Sequence, residues 1–184
     1  MSRSVILVEG VSDKLALETL AVRRGRDLEA DGISIVSLGG AQAIGRFLES
    51  LGPDLADVRV AGLCDAGEER EFRRALERAG LGSELTRSAM ERLGFFVCVA
   101  DLEDELIRAL GPDAVEDVVA TQGELGSFRT LQKQAVWRGR PHSEQLRRFM
   151  GSGGRRKIRY ARLLVDALDL ARVPRPLDGV LAHV

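Results

Sequence analysis

The chain has 184 residues, of which 45% are apolar and only 4% aromatic, so its core must consist mainly of Leu, Val and Ala. This length suits one sizeable domain or a domain with an appendage, and no apolar run approaches the roughly 18–20 residues that span a membrane. The N-terminal stretch MSRSVILVEG lacks a signal-peptide pattern, so we expect a cytoplasmic protein that does not enter the membrane. Cys64 and Cys98 lie in apolar runs and are expected to be reduced core thiols.

Charge is unevenly distributed along the chain, although the net charge is only −1. Between Arg129 and Arg162 there are eleven Lys or Arg residues and one acid, Glu144, which gives this block a charge of +10. The rest of the chain therefore carries −11. A basic block beside an acidic body favours a polyanionic partner, and an Arg-rich surface that contacts the acidic body is the alternative.

Four short apolar segments predict β-strands, and helical patterns separate them. The strands cover residues 4–8, 33–38, 58–64 and 95–99. The helices cover 13–24, 41–51, 67–79, 83–93 and a segment after Asp101, and Ser12 is the predicted N-cap of the first. Strands that are almost continuously apolar and alternate with helices indicate an α/β fold with a parallel sheet covered on both faces.

The strand signal disappears beyond residue 111. Helical patterns follow near 112–121, 124–136, 143–150 and 155–171. The sequence therefore predicts an α/β domain over residues 1–111 and a helical, basic extension over residues 112–184 that packs on it.

Carboxylates stand just past the ends of three predicted strands, at Glu9, Asp65 and Asp101 to Glu103. Ligands of open parallel sheets bind at the carboxyl ends of the strands, so these acids are expected to converge at one edge. Converging carboxylates repel one another unless a positive group joins them, and hard divalent cations prefer oxygen ligands. The pattern therefore predicts a divalent-cation site.

Two further acids could join this site from helices. Asp13 falls in the first helical turn and can lean back toward Glu9, or it can simply favour the helix dipole. On a helical wheel Glu103 shares the apolar stripe of the helix after Asp101, whereas Asp104 and Glu105 turn away. Asp65 could instead be an N-cap.

The segment GRRKIRYARLL supplies the best cationic candidates. Arg155, Arg159 and Arg162 fall within about 60° of one another on a helical wheel, where they could hold a phosphate backbone. Lys157 points with the opposite, apolar face. A lysine there could contact a phosphate or a developing oxyanion, or it could extend its amine to solvent from a helix start.

These residues together resemble a known family. The strand-end Glu in VEGVSD, followed two strands later by the strand-end Asp in LCDAGEE, resembles a Toprim domain, the Rossmann-like metal site of topoisomerases, primases and certain nucleases. Asp13, the stretch DLEDEL and the late GRRKIRYARLL resemble the OLD (overcoming lysogenization defect) endonucleases in particular. The resemblance covers about residues 4–111 and, more loosely, the helical tail.

The resemblance implies a metal-dependent endonuclease acting on DNA. One or two Mg²⁺ or Mn²⁺ ions would support phosphodiester hydrolysis, with Glu9 and Lys157 as catalytic residues. The implied metal ligands are Glu9, Asp13, Asp65 and Glu103, with Glu69 as an outer ligand. The implied nucleic-acid contacts are Arg155, Arg156, Arg159 and Arg162.

Two departures from the family pattern qualify these expectations. The usual Asp-x-Asp after the third strand here has Gly67 in its second position, so Glu68 or Glu69 must compensate or a metal site is weakened. The chain also has no G-x-x-x-x-G-K-[ST] phosphate loop, so an ATPase partner would be a separate protein. Two sites that cut two strands would suit a homodimer.

Two other functions fit part of the pattern. A Toprim-like module that binds nucleic acid or a protein partner without cutting would explain Gly67. A primase-like nucleotidyl transferase would use the same carboxylates. A generic binder of small phosphates is disfavoured, because E-G-V-S-D replaces G-x-G-x-x-G after the first strand.

Overall fold

Four parallel strands form a single sheet in the computed structural model, which describes residues 3–184. The strands are β1 (Arg3–Val8), β2 (Ile33–Ser37), β3 (Val58–Cys64) and β4 (Phe95–Val97). Their order in the sheet is β2-β1-β3-β4, and each neighbouring pair is parallel. The predicted α/β class, with a Rossmann-like parallel sheet of about four strands, is confirmed.

Ten α-helices of at least six residues surround this sheet in the described part of the chain. They are α1 (Val11–Arg23), α2 (Ile44–Leu51), α3 (Glu69–Arg78), α4 (Arg87–Arg92), α5 (Leu102–Leu110), α6 (Pro112–Thr121), α7 (Leu125–Lys133), α8 (His142–Met150), α9 (Gly154–Ala167) and α10 (Arg175–His183). Short 3₁₀ turns cover Ala41–Ala43, Gly52–Ala56, Ala66–Glu68 and Leu170–Arg172.

Several element boundaries differ from the predicted ones. The first helix begins at Val11 with Gly10 as its N-cap, so the predicted cap at Ser12 is wrong. The reason is that Asp13 Oδ2 accepts the Gly10 N–H at 2.9 Å, so an acid in the first turn satisfies the N-cap backbone from inside the helix. The fourth strand ends at Val97, two residues before the predicted end, and the Val99 N–H just beyond it donates to Glu105 Oε1 at 2.7 Å. Helix α10 had no counterpart among the predicted elements.

The two faces of the sheet bury two separate apolar clusters. Ile6 and Val8 of β1 belong to the first cluster, which also takes side chains from α1 and from α5 to α10. Val5 and Leu7 point the other way, into a second cluster with α2, α3 and α4. This alternation is the period of two that a strand imposes on its side chains.

Helix α9 of the tail lies beside α1 and runs parallel to it. At their C-terminal ends, Arg23 Nη1 donates to the carbonyl oxygens of Val165 (2.6 Å) and Leu168 (2.7 Å). At their N-terminal ends, Asp13 and Lys157 line the same cleft. The helical tail therefore carries its lysine to the carboxyl edge of the sheet. The division of the chain at residue 111 stays a prediction.

Other expectations concern membranes and thiols. Among the helices of residues 3–184, none combines the length and apolarity needed to cross a bilayer. Cys64 and Cys98 are free and buried, as expected for core thiols, and burial raises the pKa of both.

Candidate active site

A cleft of about 370 Å³ opens at the carboxyl edge of the sheet, and we call it the acidic cleft. Its lining consists of Glu9, Gly10, Val11, Ser12, Asp13, Gly40, Asp65, Gly154, Lys157 and Ile158. From β1 the chain moves outward to β2 and then crosses back to β3 on the other side of β1. Such a switch in direction leaves a crevice between the loops after the two diverging strands, which is where ligands bind in open α/β sheets.

Glu9 and Asp65 close the two sides of this crevice. Glu9 follows β1, Asp65 follows β3, and the Asp65 N–H donates to Glu9 Oε1 at 2.7 Å. Burial, assisted by the charges of Asp13 and Glu68, raises the pKa of Glu9 despite this hydrogen bond. The predicted convergence of the strand-end acids is therefore present for this pair.

The side chain of Asp65 is not used as a helix cap. Asp65 occupies the N-cap position of the 3₁₀ turn that follows it, as the alternative proposed, but its side chain makes no capping hydrogen bond there. Burial, together with the charges of Glu9, Asp13 and Asp101, raises the pKa of Asp65 to about 7. Within residues 3–184, the Asp65 carboxyl thus lies near other carboxylates, and no hydrogen-bond donor stabilises its ionised form.

Asp13 is the most buried acid that lines the cleft, with 8% of its surface exposed. Burial raises its pKa, while the charge of Lys157 and the Gly10 N–H oppose the rise. The residue therefore does more than favour the helix dipole, because it faces the cleft and caps α1 at the same time.

Glu103 faces Lys157 from outside the lining of the acidic cleft. Glu103 is 5% exposed, and its Oε2 lies 3.4 Å from Lys157 Nζ. The other oxygen, Oε1, is buried and has no hydrogen-bond partner in residues 3–184. The inward position predicted from the helical wheel is confirmed. A buried carboxylate oxygen without a donor is costly unless a ligand supplies positive charge.

Lys157 is the common countercharge of this group of acids. Burial alone would lower its pKa, but the charges of Glu103, Asp13 and Asp65 outweigh burial and raise it. The amine is therefore held as an ammonium. The side chain is 36% exposed, and its amine is directed at Glu103.

Glu105 does not turn away from the core as the helical wheel predicted. It is 4% exposed, its Oε1 accepts the Val99 N–H, and its Oε2 lies 2.7 Å from Arg108 Nη2. The helical wheel gave the wrong orientation for Glu105 because it describes α5 alone. It does not include the β4–α5 connection, where the Val99 N–H needs an acceptor. Asp104 is half-buried and pairs with Arg108 at 2.9 Å.

Of the acids after β3, Glu69 pairs with Arg87 and Glu68 acts on the acidic cleft. Glu69 lies outside the lining of the acidic cleft, and its Oε2 accepts from Arg87 Nη2 at 2.5 Å. Glu68 acts on the site, because its charge contributes to the raised pKa of Glu9. Gly67, at the position of the usual second Asp, is exposed.

Asp101 has a structural partner that the sequence analysis missed. It caps α5 by accepting the Asp104 N–H at 2.9 Å. Its Oδ2 also accepts from Arg147 of α8 at 2.7 Å and 2.6 Å. No local pattern could identify this pair, because 46 positions separate the two residues.

The predicted phosphate-binding arginines differ in their surroundings. Arg156 and Arg159 both pair with Glu124, which also accepts the Tyr160 hydroxyl at 2.8 Å. Although burial opposes it, these donors lower the pKa of Glu124. Arg162 lies 3.5 Å from Asp166 on an exposed surface. Arg155 is exposed and has no ion pair within residues 3–184.

Three of these arginines, Arg155, Arg156 and Arg159, border a second cleft of about 540 Å³. This cleft shares Gly154 with the acidic cleft. Arg155, Arg156 and Arg159 together exceed the charge of Glu124, so this cleft is positively charged. A phosphate chain leaving the acidic cleft past the start of α9 would meet this positive surface. Glu124, which organises it, was missed because nothing in the stretch QGELG distinguishes this acid.

The acids fit a hard divalent cation, although they are not gathered around one point. In residues 3–184 no three Asp, Glu, His or Cys side chains lie close enough together to hold a metal ion as they stand. The chemistry of the donors nevertheless suits such an ion, since all are carboxylate oxygens and the pKa values of Glu9, Asp13, Asp65 and Glu103 are all raised. The unpaired Oε1 of Glu103 is the clearest structural sign of a missing positive partner.

The strand order and the acids after β1 and β3 define a Toprim-like α/β fold. Residues 1–66 match the family model of the overcoming lysogenization defect protein-like TOPRIM domain. This match spans β1 to β3 and includes Glu9, Asp13 and Asp65.

Solved structures extend the similarity to the whole chain. The C-terminal region of the Burkholderia pseudomallei OLD protein has a TM-score of 0.72 and 20% identity, with 100% of this chain and 97% of that chain covered. The C-terminal region of the Xanthomonas campestris pv. campestris OLD protein has a TM-score of 0.71 and 22% identity, with 100% and 94% covered. No curated protein matches the chain. The predicted resemblance to the Toprim part of OLD proteins is confirmed, and at these identities the structures establish the fold.

Proposed function

We propose that the chain is a metal-dependent nuclease that hydrolyses phosphodiester bonds in DNA. The Toprim match is consistent with a role in nucleic-acid processing. The observation that carries the proposal is the acidic cleft, where Glu9 and Asp65 are joined across the β1–β3 crevice. Lys157 at its wall faces Glu103, whose other oxygen has no partner within residues 3–184.

The carboxylates would hold the cation, and the lysine would bind the substrate. Glu9, Asp13, Asp65 and Glu103 are the ligands that we assign to Mg²⁺ or Mn²⁺, and Glu68 is better placed than Glu69 to assist them. One or two such ions would supply activation of the attacking water and stabilisation of the leaving oxygen.

Lys157 acts as a fixed positive charge and not as a base. The neighbouring acids raise its pKa, so it stays protonated at neutral pH. An ammonium at the wall of the cleft attracts a phosphate and stabilises negative charge that develops on its oxygens. The arginine-lined cleft beside Gly154 would bind the phosphates that follow.

A plasmid-nicking assay tests this proposal. Supercoiled plasmid is incubated with Mg²⁺, Mn²⁺, Ca²⁺ or EDTA and with wild type, Glu9→Gln or Glu18→Gln. Glu18 is the matched control, because it lies on α1 beyond the cleft lining and pairs only with Lys14 at the surface. We expect Mg²⁺- or Mn²⁺-dependent nicking that Glu9→Gln loses and Glu18→Gln keeps. Nicking that survives in Glu9→Gln would contradict the proposal.

A binding module that does not cut DNA is the second candidate. It is favoured by Gly67 at the second acid position and by Arg87 holding Glu69 away from the cleft. It predicts salt-sensitive DNA binding that Glu9→Gln leaves intact, with no cleavage under any metal condition. A separate ATPase partner and a homodimer are further proposals, which co-purification and sedimentation would test.

A further inference from the structure

A cleft of about 440 Å³ adjoins the acidic cleft on the other side of Lys157, and we call it the tryptophan cleft. Its lining consists of Asp101, Glu103, Trp137, Glu144, Arg147, Arg148, Gly151 and Lys157. Lys157 lines both clefts, so they form one continuous surface around this side chain. Sites for small organic groups commonly have volumes of about 300–1,000 Å³.

The backbone of Trp137, in the turn between α7 and α8, is anchored by partly buried hydrogen bonds. Gln145, which is only 7% exposed, donates to the Trp137 carbonyl oxygen at 2.8 Å. Gln132 of α7 donates to the Oε1 of Gln145, also at 2.8 Å. Trp137 packs partly against the apolar core while remaining part of the cleft wall. The backbone that carries this large aromatic side chain is thus anchored beside the candidate active site.

Arg148 is the cation of the tryptophan cleft that remains available for a ligand. Arg147 is engaged by Asp101, and Lys157 faces Glu103. Arg148 has no ion pair within residues 3–184, and its guanidinium lies 6.0 Å from the centre of the Trp137 ring. The cleft therefore offers an aromatic ring with a cation that has no ion pair in the described residues lying over one of its faces.

We propose that Trp137 and Arg148 form a subsite that stacks an unpaired DNA base next to the phosphate bound at the acidic cleft. An aromatic ring stacks on any base, and a neighbouring arginine binds its phosphate, but the ring reaches a base face only when the base has left a duplex stack. The inference rests on the proposed function and refines it: the substrate is DNA that is single-stranded or opened at the cleavage point.

Intrinsic fluorescence tests the subsite directly, because Trp137 is the single tryptophan of the chain. Wild-type protein is titrated in Ca²⁺ and in EDTA with oligothymidylate, with an abasic strand of the same number of phosphates, and with a blunt duplex of the same length. We expect quenching by oligothymidylate, and little change with the abasic strand or the duplex. Equal responses to oligothymidylate and the abasic strand, or none to either, would overturn the subsite.

Variants provide an independent measurement by anisotropy of labelled oligothymidylate. Trp137→Ala should weaken binding roughly 5- to 100-fold, Trp137→Phe should retain most of it, and neither should alter binding of the abasic strand. Val136→Ala is the matched control, because Val136 is the exposed apolar neighbour in the same turn. If Trp137→Ala is unfolded by circular dichroism, Trp137→Phe and the quenching titration decide. Unchanged affinity in a folded Trp137→Ala would overturn the subsite.

The outcomes separate this inference from the nuclease proposal. Plasmid nicking without base-dependent quenching leaves the nuclease standing and removes the subsite. If quenching depends on the base and Trp137→Ala weakens binding, but no plasmid is nicked, the subsite is supported and the nuclease proposal is contradicted. Arg148→Ala should lower the slope of log affinity against log salt by about 1, as expected when one phosphate contact is lost.

Discussion

Glu103 and Glu105 show how differently two buried acids of one helix can be used. Both are at most 5% exposed on α5. Glu105 has both oxygens engaged, by the Val99 N–H and by Arg108. Glu103 has one oxygen near Lys157 and the other without a partner. The hydrogen bonds of Glu105 therefore stabilise the fold, whereas Glu103 has an oxygen that is available to a ligand.

Substituting each of these two acids separately should distinguish an effect on stability from an effect on cation binding. Glu105→Ala should lower the free energy of unfolding by about 1–3 kcal/mol, since the Val99 N–H loses its acceptor. Glu103→Gln should change it by less than about 1 kcal/mol but abolish stabilisation by Mg²⁺ or Mn²⁺. Thermal unfolding with and without the metals measures both effects. The assignment fails if Glu105→Ala loses the metal response and Glu103→Gln keeps it.

Asp65 should make the stability of the metal-free protein depend on pH. Its pKa is raised to about 7, above the value of about 3.9 in an unfolded chain. Folding therefore favours the protonated carboxyl, and the stability that this group contributes is complete below pH ~4 and lost as the pH rises through about 7.

Asp65→Asn should remove this dependence. In EDTA at pH 8 we expect the variant to exceed wild type by about 2–4 °C in Tm, corresponding to ~1 kcal/mol after allowance for partial exposure, and by less at pH 5. Scanning calorimetry at the two pH values checks this. If Asp65→Asn exceeded wild type by the same Tm at both pH values, ionisation of Asp65 would not be what destabilises the wild-type protein.

At the scale of elements, the position of α9 depends on α1. The two helices start at the acidic cleft and run parallel, and Arg23 at the end of α1 donates to two carbonyl groups in the last turn of α9. Those carbonyl groups lie at the C-terminal end of α9, where the Val165 oxygen also accepts the Leu168 N–H at 3.2 Å. A cation is favoured there by the helix dipole. One side chain of the α/β core thus holds the helix that carries Lys157.

Arg23→Ala should therefore destabilise the protein by about 1–3 kcal/mol, because two partly buried carbonyl oxygens lose a charged donor. Arg24→Ala is the control. Arg24 pairs with Asp178, whose side chain is 50% exposed, and such pairs contribute at most about 1 kcal/mol. Urea unfolding of both variants measures the difference, and equal losses would contradict the role assigned to Arg23.

At the scale of the whole molecule, one face of the sheet is covered largely by the helical tail. The first apolar cluster joins Ile6 and Leu17 to Tyr160, Val165 and Leu181. A fragment that ends at residue 111 would expose the apolar side chains of β1 and α1 that these residues cover. Burial of such area is the main favourable contribution to folding.

The full chain should accordingly unfold in one cooperative transition, whereas a fragment of residues 1–111 should unfold without a clear transition and bind a hydrophobic dye. Urea titration followed by circular dichroism, with dye fluorescence as a second probe, compares the two. A fragment that unfolds cooperatively with no dye binding would show that the predicted division at residue 111 separates an independent domain.

Local patterns were informative wherever neighbours in sequence decide the structure. The apolar runs located all four strands, since a buried parallel strand must be apolar on both faces. The Glu9 and Asp65 pairing followed from their places after strands, and the inward position of Glu103 followed from helical periodicity. The Gly10 cap was missed, because Asp13 bonds to a backbone group outside the periodic pattern.

The sequence by itself determined the α/β class, the edge of the sheet where acids collect, and the resemblance to Toprim domains, because these follow from the order of short segments. Only the tertiary structure decided that Lys157 faces Glu103, that Glu69 is held by Arg87, and that Trp137 stands beside the site. Those relations join residues far apart in the chain, and their geometry depends on how α9 and the α7–α8 turn pack against the sheet. Packing of distant elements brings together side chains that no local pattern pairs.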